Sequence, residues 1–215
     1  MRDTRKSSSY FEQFIEYETA RIQKWKEKLE NTSDTTKQQT IEVFLLNSQM
    51  REMIASFSYS ADVDSLANKL NDIVATVKDL PKLTYDTQLR ILSFSIMLNK
   101  KDIANQIDSN KLSLEDKLIQ ALWYYISTDT LIWQGSFIFP SFGELDDVFR
   151  TKSENALLKY LDGWYENNSD ASWYDNDKSD NDVYEGYWSF ESAAIAKMLE
   201  MNEDLLEKNV FYPKL

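Results

Sequence analysis

The sequence predicts an all-α protein, an array of roughly eight mostly antiparallel helices with an acidic loop before the last long helix. Apolar residues recur at intervals of three and four through most of the chain, and no stretch shows the alternation typical of a β-strand. Only four glycines and three prolines interrupt the 215 residues, which suits helices joined by short connections. With 42% hydrophobic residues, the chain has enough apolar material to bury a core.

Three helices are predicted in the N-terminal part of the chain. The first covers residues 10–29, where Phe11, Phe14 and Ile15 begin a helical spacing of apolar side chains. Ser33 or Asp34 is expected to cap the second helix, because both side chains can accept a hydrogen bond from the free N–H groups of a first turn. A third helix is expected to begin at Asp62 and to end before Pro81.

The C-terminal part is predicted to hold the remaining helices. A fourth follows Thr84, a short fifth covers residues 100–107, and a sixth begins at a capping box that starts with Ser113. Residues 128–143 lose the helical period, and helix returns over residues 144–165 with a break near Arg150. A loop over residues 167–182 precedes the last helix, over residues 189–201. We expect residues 1–80 and 81–215 to be two helical regions of one compact unit.

The net charge of −12 is concentrated near the C-terminus. Residues 1–60 hold nine acids and nine bases, whereas residues 141–215 hold 17 acids and seven bases. A field of that sign repels nucleic acids and anionic membranes and attracts a basic macromolecule. The charge therefore argues against direct binding to nucleic acid or to membranes, and favours a basic protein partner.

Two residue types are missing from the chain, and their absence excludes several kinds of catalytic and metal-binding site. The chain has no cysteine and no histidine, so it lacks thiolate ligands, imidazole ligands and every Ser-His or Cys-His arrangement. We therefore expect no catalytic residue, no cofactor and no enzymatic activity. The N-terminal residues lack the apolar core of a secretory signal, and no apolar run approaches the ~20 residues of a membrane helix, so a cytoplasmic, soluble protein is expected.

Two metal sites were weighed and neither is expected. A calcium loop beginning at Asp175 needs glycine at its sixth position and glutamate at its twelfth, which are Asp180 and Gly186 here. Carboxylates at helical spacing, such as Glu12 and Glu16, would suit a magnesium-dependent phosphohydrolase. Helix surfaces, however, collect glutamates at this spacing without binding metal.

The stretch from Trp173 to Glu191 joins an acidic run to an aromatic cluster. Aromatic rings bury a large apolar area on folding, whereas an unpaired carboxylate is very costly to bury. We therefore expect the aromatic half to be anchored in a core and the acidic half to lie at the surface. Gly186, between aromatic residues, is expected to adopt a positive φ or to allow a tight backbone approach.

The aromatic half resembles the C-terminal signature of PoNi-type immunity proteins. The resemblance is carried by the eight consecutive residues 184–191, followed by Ala193-Ala194 and by Tyr212-Pro213 near the end of the chain. Residues 1–3, Met-Arg-Asp, and residues 59–61, Tyr-Ser-Ala, are similar to the N-terminal region of the same family. The signature residues, which are interpreted as mainly structural, are Tyr184, Gly186, Tyr187, Trp188, Phe190 and Glu191.

The resemblance implies a helical protein that binds a cognate DNase toxin of a polymorphic toxin system in the cytoplasm and so protects the bacterium that makes it. A nuclease site is basic because it must hold phosphates, so the predicted contact surface is acidic. Two alternatives remain: a carboxylate- and magnesium-dependent phosphohydrolase, and a DNA mimic that titrates a basic DNA-binding protein. The residues predicted to contact the toxin are Glu144, Asp146, Asp147, Asp170, Asp175, Asp177, Asp180, Asp182 and Glu185.

Overall fold

The structure, a computed structural model that describes all 215 residues, confirms the all-α class. It has nine α-helices and no β-strand; the only bridge of the β type joins Asp116 and Ser136. The helices are α1 (Ser8–Glu30), α2 (Thr35–Tyr59), α3 (Val63–Val77), α4 (Tyr85–Met97), α5 (Lys101–Ala104), α6 (Lys117–Thr128), α7 (Leu145–Thr151), α8 (Glu154–Trp164) and α9 (Phe190–Met198). The break expected near Arg150 is confirmed, since α7 ends one residue later and α8 begins at Glu154.

Three of the predicted helix starts have the expected caps. The side chains of Asp34, Asp62 and Thr84 accept hydrogen bonds from backbone N–H groups two or three residues further on. These groups have no partner within the helix, so a short polar side chain just before the first turn stabilises it.

Three predicted boundaries were wrong. The fifth helix ends at Ala104, three residues before the predicted end at residue 107. The sixth helix is capped by Asp116, whose Oδ1 accepts from the N–H groups of Leu118 and Ile119 at 2.9 Å each, and not by Ser113. The last helix ends at Met198, three residues early, because Glu200 adopts a left-handed φ of +54° and the Met201 N–H turns back to the carbonyl of Ala196. With nine residues, it is not a long helix.

One compact unit, unit 1, consists of Met1–Leu83 and Asp175–Gly186. In it α2 packs against both α1 and α3. Its core is apolar and fully buried, with Phe11 from α1, Met53 and Phe57 from α2, and Leu66 and Leu70 from α3. Burial of the apolar faces of these helices is the main stabilising term.

The other compact unit, unit 2, consists of Thr84–Tyr174 and Tyr187–Leu215. In it α4 packs against α6 and α9, and α7 packs against α8. The alanines Ala193, Ala194 and Ala196 of α9 are buried, and the rings of Phe94 and Phe190 lie 4.2 Å apart between α4 and α9. Small side chains allow this close helix packing, as the sequence suggested.

The stretch from Trp173 to Glu191 is divided between the units. After Tyr174 the chain leaves unit 2, contributes Asp175–Gly186 to unit 1, and returns to unit 2 at Tyr187. The acidic half and most of the aromatic half therefore belong to different units. The division into residues 1–80 and 81–215 stays a prediction.

Candidate functional site

The twelve residues Asp175–Gly186, here named the acidic segment, give unit 1 most of its net negative charge. They carry five carboxylates and one lysine. The remainder of unit 1, residues 1–83, has 13 acids and 12 bases and is nearly neutral. The field of unit 1 is therefore set by this one segment.

A tyrosine of α1 clamps the backbone of the acidic segment. The hydroxyl of Tyr10 accepts a hydrogen bond from the Tyr184 N–H at 3.0 Å and donates one to the Tyr184 carbonyl at 2.9 Å. Burial raises the pKa of Tyr10 to about 12, so this hydroxyl stays protonated and can do both. Both backbone groups of Tyr184 thus have a side-chain partner where no secondary structure provides one.

The Tyr184 side chain anchors the segment to the N-terminus. Its ring is buried, 1% exposed, and its hydroxyl donates to the Asp3 carboxylate, which also accepts from the Arg5 N–H at 2.8 Å and from Arg5 Nη1 at 3.2 Å. Burial, and next the charge of Asp3, raise the pKa of Tyr184 well above its ordinary value. The buried carboxylate is paired and hydrogen-bonded, as its burial requires.

Arg51 of α2 forms the second anchor. Its Nη1 lies 2.7 Å from the buried Glu18 carboxylate, its Nη2 donates to the Asp182 carbonyl at 3.3 Å, and its Nε lies 3.6 Å from the Glu185 carboxylate. The Ser58 hydroxyl donates to the Glu185 carbonyl at 2.7 Å. The planar fork of arginine can bridge α1 and the acidic segment in this way, which lysine could not.

Two left-handed backbone positions flank the acidic segment. Asp175 has φ +61°, and Lys178 Nζ lies 2.7 Å from its carboxylate. Gly186 has φ +123°, which confirms the prediction of a positive φ, and only glycine adopts such a value without strain. These positions let the chain enter and leave the segment sharply.

The five predicted acids of this segment differ in exposure. Asp180 and Asp182 are exposed and form no ion pair. Asp175, Asp177 and Glu185 are half-buried, and Asp175 and Glu185 contact bases of unit 1 as described above. The segment thus combines exposed carboxylates with carboxylates that form ion pairs within unit 1.

The other four predicted contact residues belong to unit 2, so the structure does not bring all nine into one unit. Asp170 is exposed. The remaining three contact bases of unit 2: Glu144 lies 3.2 Å from Lys159, Asp146 lies 2.7 Å from Lys117, and Asp147 contacts Arg150. Whether any of the nine acids contacts a toxin stays a prediction.

Five of the six signature residues are buried, and the sixth, Gly186, is half-buried. Tyr184, Tyr187, Trp188, Phe190 and Glu191 are all at most 8% exposed. Tyr184 belongs to the core of unit 1 and the other four belong to unit 2. The aromatic half is thus anchored in two cores.

Glu191 is a buried carboxylate with three side-chain donors. Its Oε1 accepts from the Tyr160 hydroxyl, from Trp164 Nε1 and from the Ser189 hydroxyl, each at 2.7 Å. Burial raises the pKa of Glu191, and the hydrogen bonds oppose that shift only in part. Side chains of α8, Tyr160 and Trp164, supply two of these three donors.

Sequence reasoning missed the anchors of the acidic segment. Asp3, Tyr10 and Arg51 lie between 131 and 181 residues away from their partners in the segment. No local pattern connects positions at such separations, so only the resemblance of Met1-Arg2-Asp3 to the family's N-terminus pointed to one of them.

Glu12, one of the two carboxylates with the spacing of magnesium ligands, accepts a hydrogen bond from the Tyr59 hydroxyl. No three His, Cys, Asp or Glu side chains converge in an arrangement that could hold a metal ion. None of the nine helices is long and apolar enough to cross a membrane.

Fold and site together define a helical protein with a fixed acidic segment and no converging metal ligands. The chain belongs to the family of PoNe immunity proteins (PoNi): residues 2–107 match its N-terminal part and residues 114–215 match its C-terminal part. The resemblance read from the signature is thereby confirmed. Immunity to PoNe toxins is the function that this family name carries.

The fold is also found in a solved structure, the crystal structure of protein PA2201 from Pseudomonas aeruginosa. The TM-score is 0.76 at 13% sequence identity, over 98% of this chain and 87% of that chain. At this identity the likeness concerns the fold alone. A comparison with curated protein sequences returned no match.

Proposed function

We propose that this protein neutralises a cognate PoNe-type DNase toxin by binding it directly, through a surface centred on the acidic segment. Membership in the immunity family supports the class of partner. The cytoplasm is the proposed compartment, since that is where such a toxin meets bacterial DNA. The acids of unit 2 that the sequence suggested, Glu144, Asp146, Asp147 and Asp170, are proposed as further contacts.

The chemistry of the partner supports an acidic binding surface. A DNase must attract a phosphate backbone, so its DNA-binding face is basic. Carboxylates compete for such a face, steer the encounter and strengthen the contact; close charge pairs in a nuclease–inhibitor complex have been measured to couple by about 1.5–7 kcal/mol.

The acidic segment has a hydrogen-bonded backbone and exposed carboxylates, and this combination is the observation that carries the proposal. Buried or half-buried partners, Tyr10, Arg51 and Ser58, fix its backbone. The carboxylates of Asp180 and Asp182 remain exposed. Fixing this loop in the free protein lowers the entropy cost of binding, which is how a preorganised surface gains affinity.

The test replaces the two exposed carboxylates. Asp180→Asn/Asp182→Asn should slow association with a nuclease-inactive PoNe-type toxin domain, and the difference from wild type should shrink as salt rises. Its melting temperature should stay close to wild type, because solvated side chains contribute little to stability. Rates are measured at two ionic strengths, together with protection of cells that express the active toxin.

A matched control makes the same change of charge elsewhere on unit 1. Glu30 and Asp79 are exposed and lie outside the acidic segment. Glu30→Gln/Asp79→Asn should leave the association rate closer to that of wild type. Equal rates for both double variants would reject the acidic segment as the contact surface. Magnesium-stimulated hydrolysis of nucleotides by the wild-type protein would instead favour the phosphohydrolase alternative.

A further inference from the structure

Two aromatic side chains of unit 1 meet near the turn that joins α1 to α2. The Trp25 ring of α1 stacks on the Phe44 ring of α2 with centroids 5.1 Å apart, and Phe44 remains 44% exposed. The Nζ atoms of Lys24 and Lys28 lie over the Trp25 ring, 5.9 and 4.5 Å from its centroid. We name these four residues the basic patch. Aromatic side chains at a surface are enriched in protein interfaces.

The two lysines of the basic patch are exposed and form no ion pair. The acids that follow them on α1 point elsewhere. Because a helix turns by about 100° per residue, Glu27 and Glu30 lie about 160° and 140° around α1 from Trp25. The basic patch is therefore a site of unpaired positive charge on a chain whose net charge is −12.

The basic patch and the acidic segment lie on the same face of the α1–α2 pair. Arg51 Nη1 lies 2.7 Å from Glu18 across this face, and its Nη2 donates to the Asp182 carbonyl of the acidic segment. Trp25 follows Glu18 by seven residues and Phe44 precedes Arg51 by seven, so each lies two turns along the same side of its helix, about 10 Å away. The acidic segment thus lies at one end of the face and the basic patch at the other.

Opposite unpaired charges at the two ends make this face self-complementary. Asp180 and Asp182 are exposed and form no ion pair, as described above. A two-fold axis between the two ends would place the basic patch of each copy against the acidic segment of the other. The spacing matches by symmetry, because both copies have the same distance between the two ends.

Charge selects a second copy among the possible partners of the basic patch. Lys24 and Lys28 would repel a basic protein, and the net charge of −12 would repel a nucleic acid or an anionic membrane. The acidic segment of another copy offers exposed carboxylates on a backbone that is already fixed.

We propose that the protein pairs with a second copy of itself through this face, with the basic patch of each copy against the acidic segment of the other. The lysines and the carboxylates steer the two copies together, and the exposed ring of Phe44 supplies an apolar contact. Because the charges are exposed, we expect a weak pair that salt dissociates. The pairing does not depend on the proposed function, although a toxin bound to Asp180 and Asp182 would compete with it.

The test reverses the charge at each end of the face. The wild-type protein should be a dimer by light scattering and sedimentation equilibrium at low salt and a monomer at high salt. Lys24→Glu/Lys28→Glu and Asp180→Lys/Asp182→Lys should each raise the dimer dissociation constant about tenfold or more. Mixed in equal amounts, the two variants should dimerise again, because both contacts of the mixed pair then join opposite charges.

The matched control is Lys82→Glu/Lys208→Glu, which makes the same change of charge at two exposed lysines outside the basic patch. It should dimerise as the wild type does. Phe44→Ser should weaken the dimer at every salt concentration, since it removes an apolar contact. Melting temperatures check that each variant is folded, and Lys24→Gln/Lys28→Gln takes the place of the reversed variant if that variant unfolds.

Each outcome decides the inference. A wild-type protein that stays monomeric at low salt would overturn it and leave the proposed function standing. A dimer that survives both reversals, or a mixture of the two variants that stays monomeric, would overturn it as well. A monomer whose binding to single-stranded DNA is weakened by Phe44→Ser would show that a nucleic acid occupies the basic patch instead. Failure of the wild-type protein to bind a PoNe-type toxin domain would reject the proposed function and leave the pairing untouched.

Discussion

Residues 175–186 and residues 187–191 are neighbours in sequence but hold their carboxylates in opposite environments. Asp180 and Asp182 are exposed, on a backbone fixed to unit 1 by Tyr10 and Arg51. Glu191 is buried in unit 2 and accepts three hydrogen bonds from side chains. The exposed acids keep their hydration and remain available to a partner. The buried acid has lost its hydration, and its hydrogen bonds are made within unit 2.

This contrast separates variants that change stability from variants that change binding. Substitutions in the buried half should lower the free energy of unfolding, and should weaken protection only by reducing the amount of folded protein. Substitutions of the exposed acids should weaken toxin binding and leave the free energy of unfolding close to that of wild type. Residues that join the two behaviours, such as Tyr10, should affect both moderately.

The largest effect on stability is expected for Trp188→Ala. The ring is 8% exposed, and removing a buried tryptophan costs about 3–5 kcal/mol through lost burial and the cavity left behind. Urea denaturation measures the loss. An unchanged free energy of unfolding together with lost toxin binding would make Trp188 an interface residue and break the contrast.

The second prediction is that the buried Glu191 carboxylate makes the stability of the protein depend on pH. Burial raises the pKa of Glu191 in the folded state above its ordinary value of 4.5, so the folded state binds a proton more tightly than the unfolded state does. The wild-type protein should therefore lose stability relative to Glu191→Gln as pH rises from about 4.5 up to the folded-state pKa, by up to about 1.4 kcal/mol per pH unit.

Denaturation curves of the wild type and the Glu191→Gln variant across that pH range give this difference directly. Asp180→Asn is the control, because it removes an exposed carboxylate of the acidic segment, outside unit 2. A constant difference between wild type and Glu191→Gln would show that the buried carboxylate titrates as it does in the unfolded chain.

A smaller effect than that of Trp188→Ala is expected for Tyr10→Phe. The substitution leaves the Tyr184 N–H and carbonyl without their side-chain partner, at a cost of about 1–3 kcal/mol. Hydrogen exchange should accelerate at residues 180–186 more than in α3, and toxin affinity should fall modestly as the segment becomes less ordered. Tyr17→Phe, at an exposed position of the same helix, is the control. Unchanged exchange in the segment would show that Arg51 and Asp3 suffice to fix it.

Local features of the structure followed from the sequence because their causes act over a few residues. Asp62 and Thr84 cap their helices by reaching N–H groups three residues on, and Gly186 has the positive φ that its position suggested. The choice of Asp116 over Ser113 could not be predicted in this way. Asp116 also binds Tyr85 and Ile138, and these contacts exist only after the chain has folded.

The sequence by itself determined the all-α class, the concentration of acids near the C-terminus and the family, because composition, helical period and a signature of eight residues are properties of the chain. Only the tertiary structure decided which carboxylates are buried and which are presented. The pairs Asp3–Tyr184 and Arg51–Glu185 join residues more than 130 positions apart, and their energies depend on burial. A charge is stabilising or costly according to the solvent and partners around it, and the fold sets both.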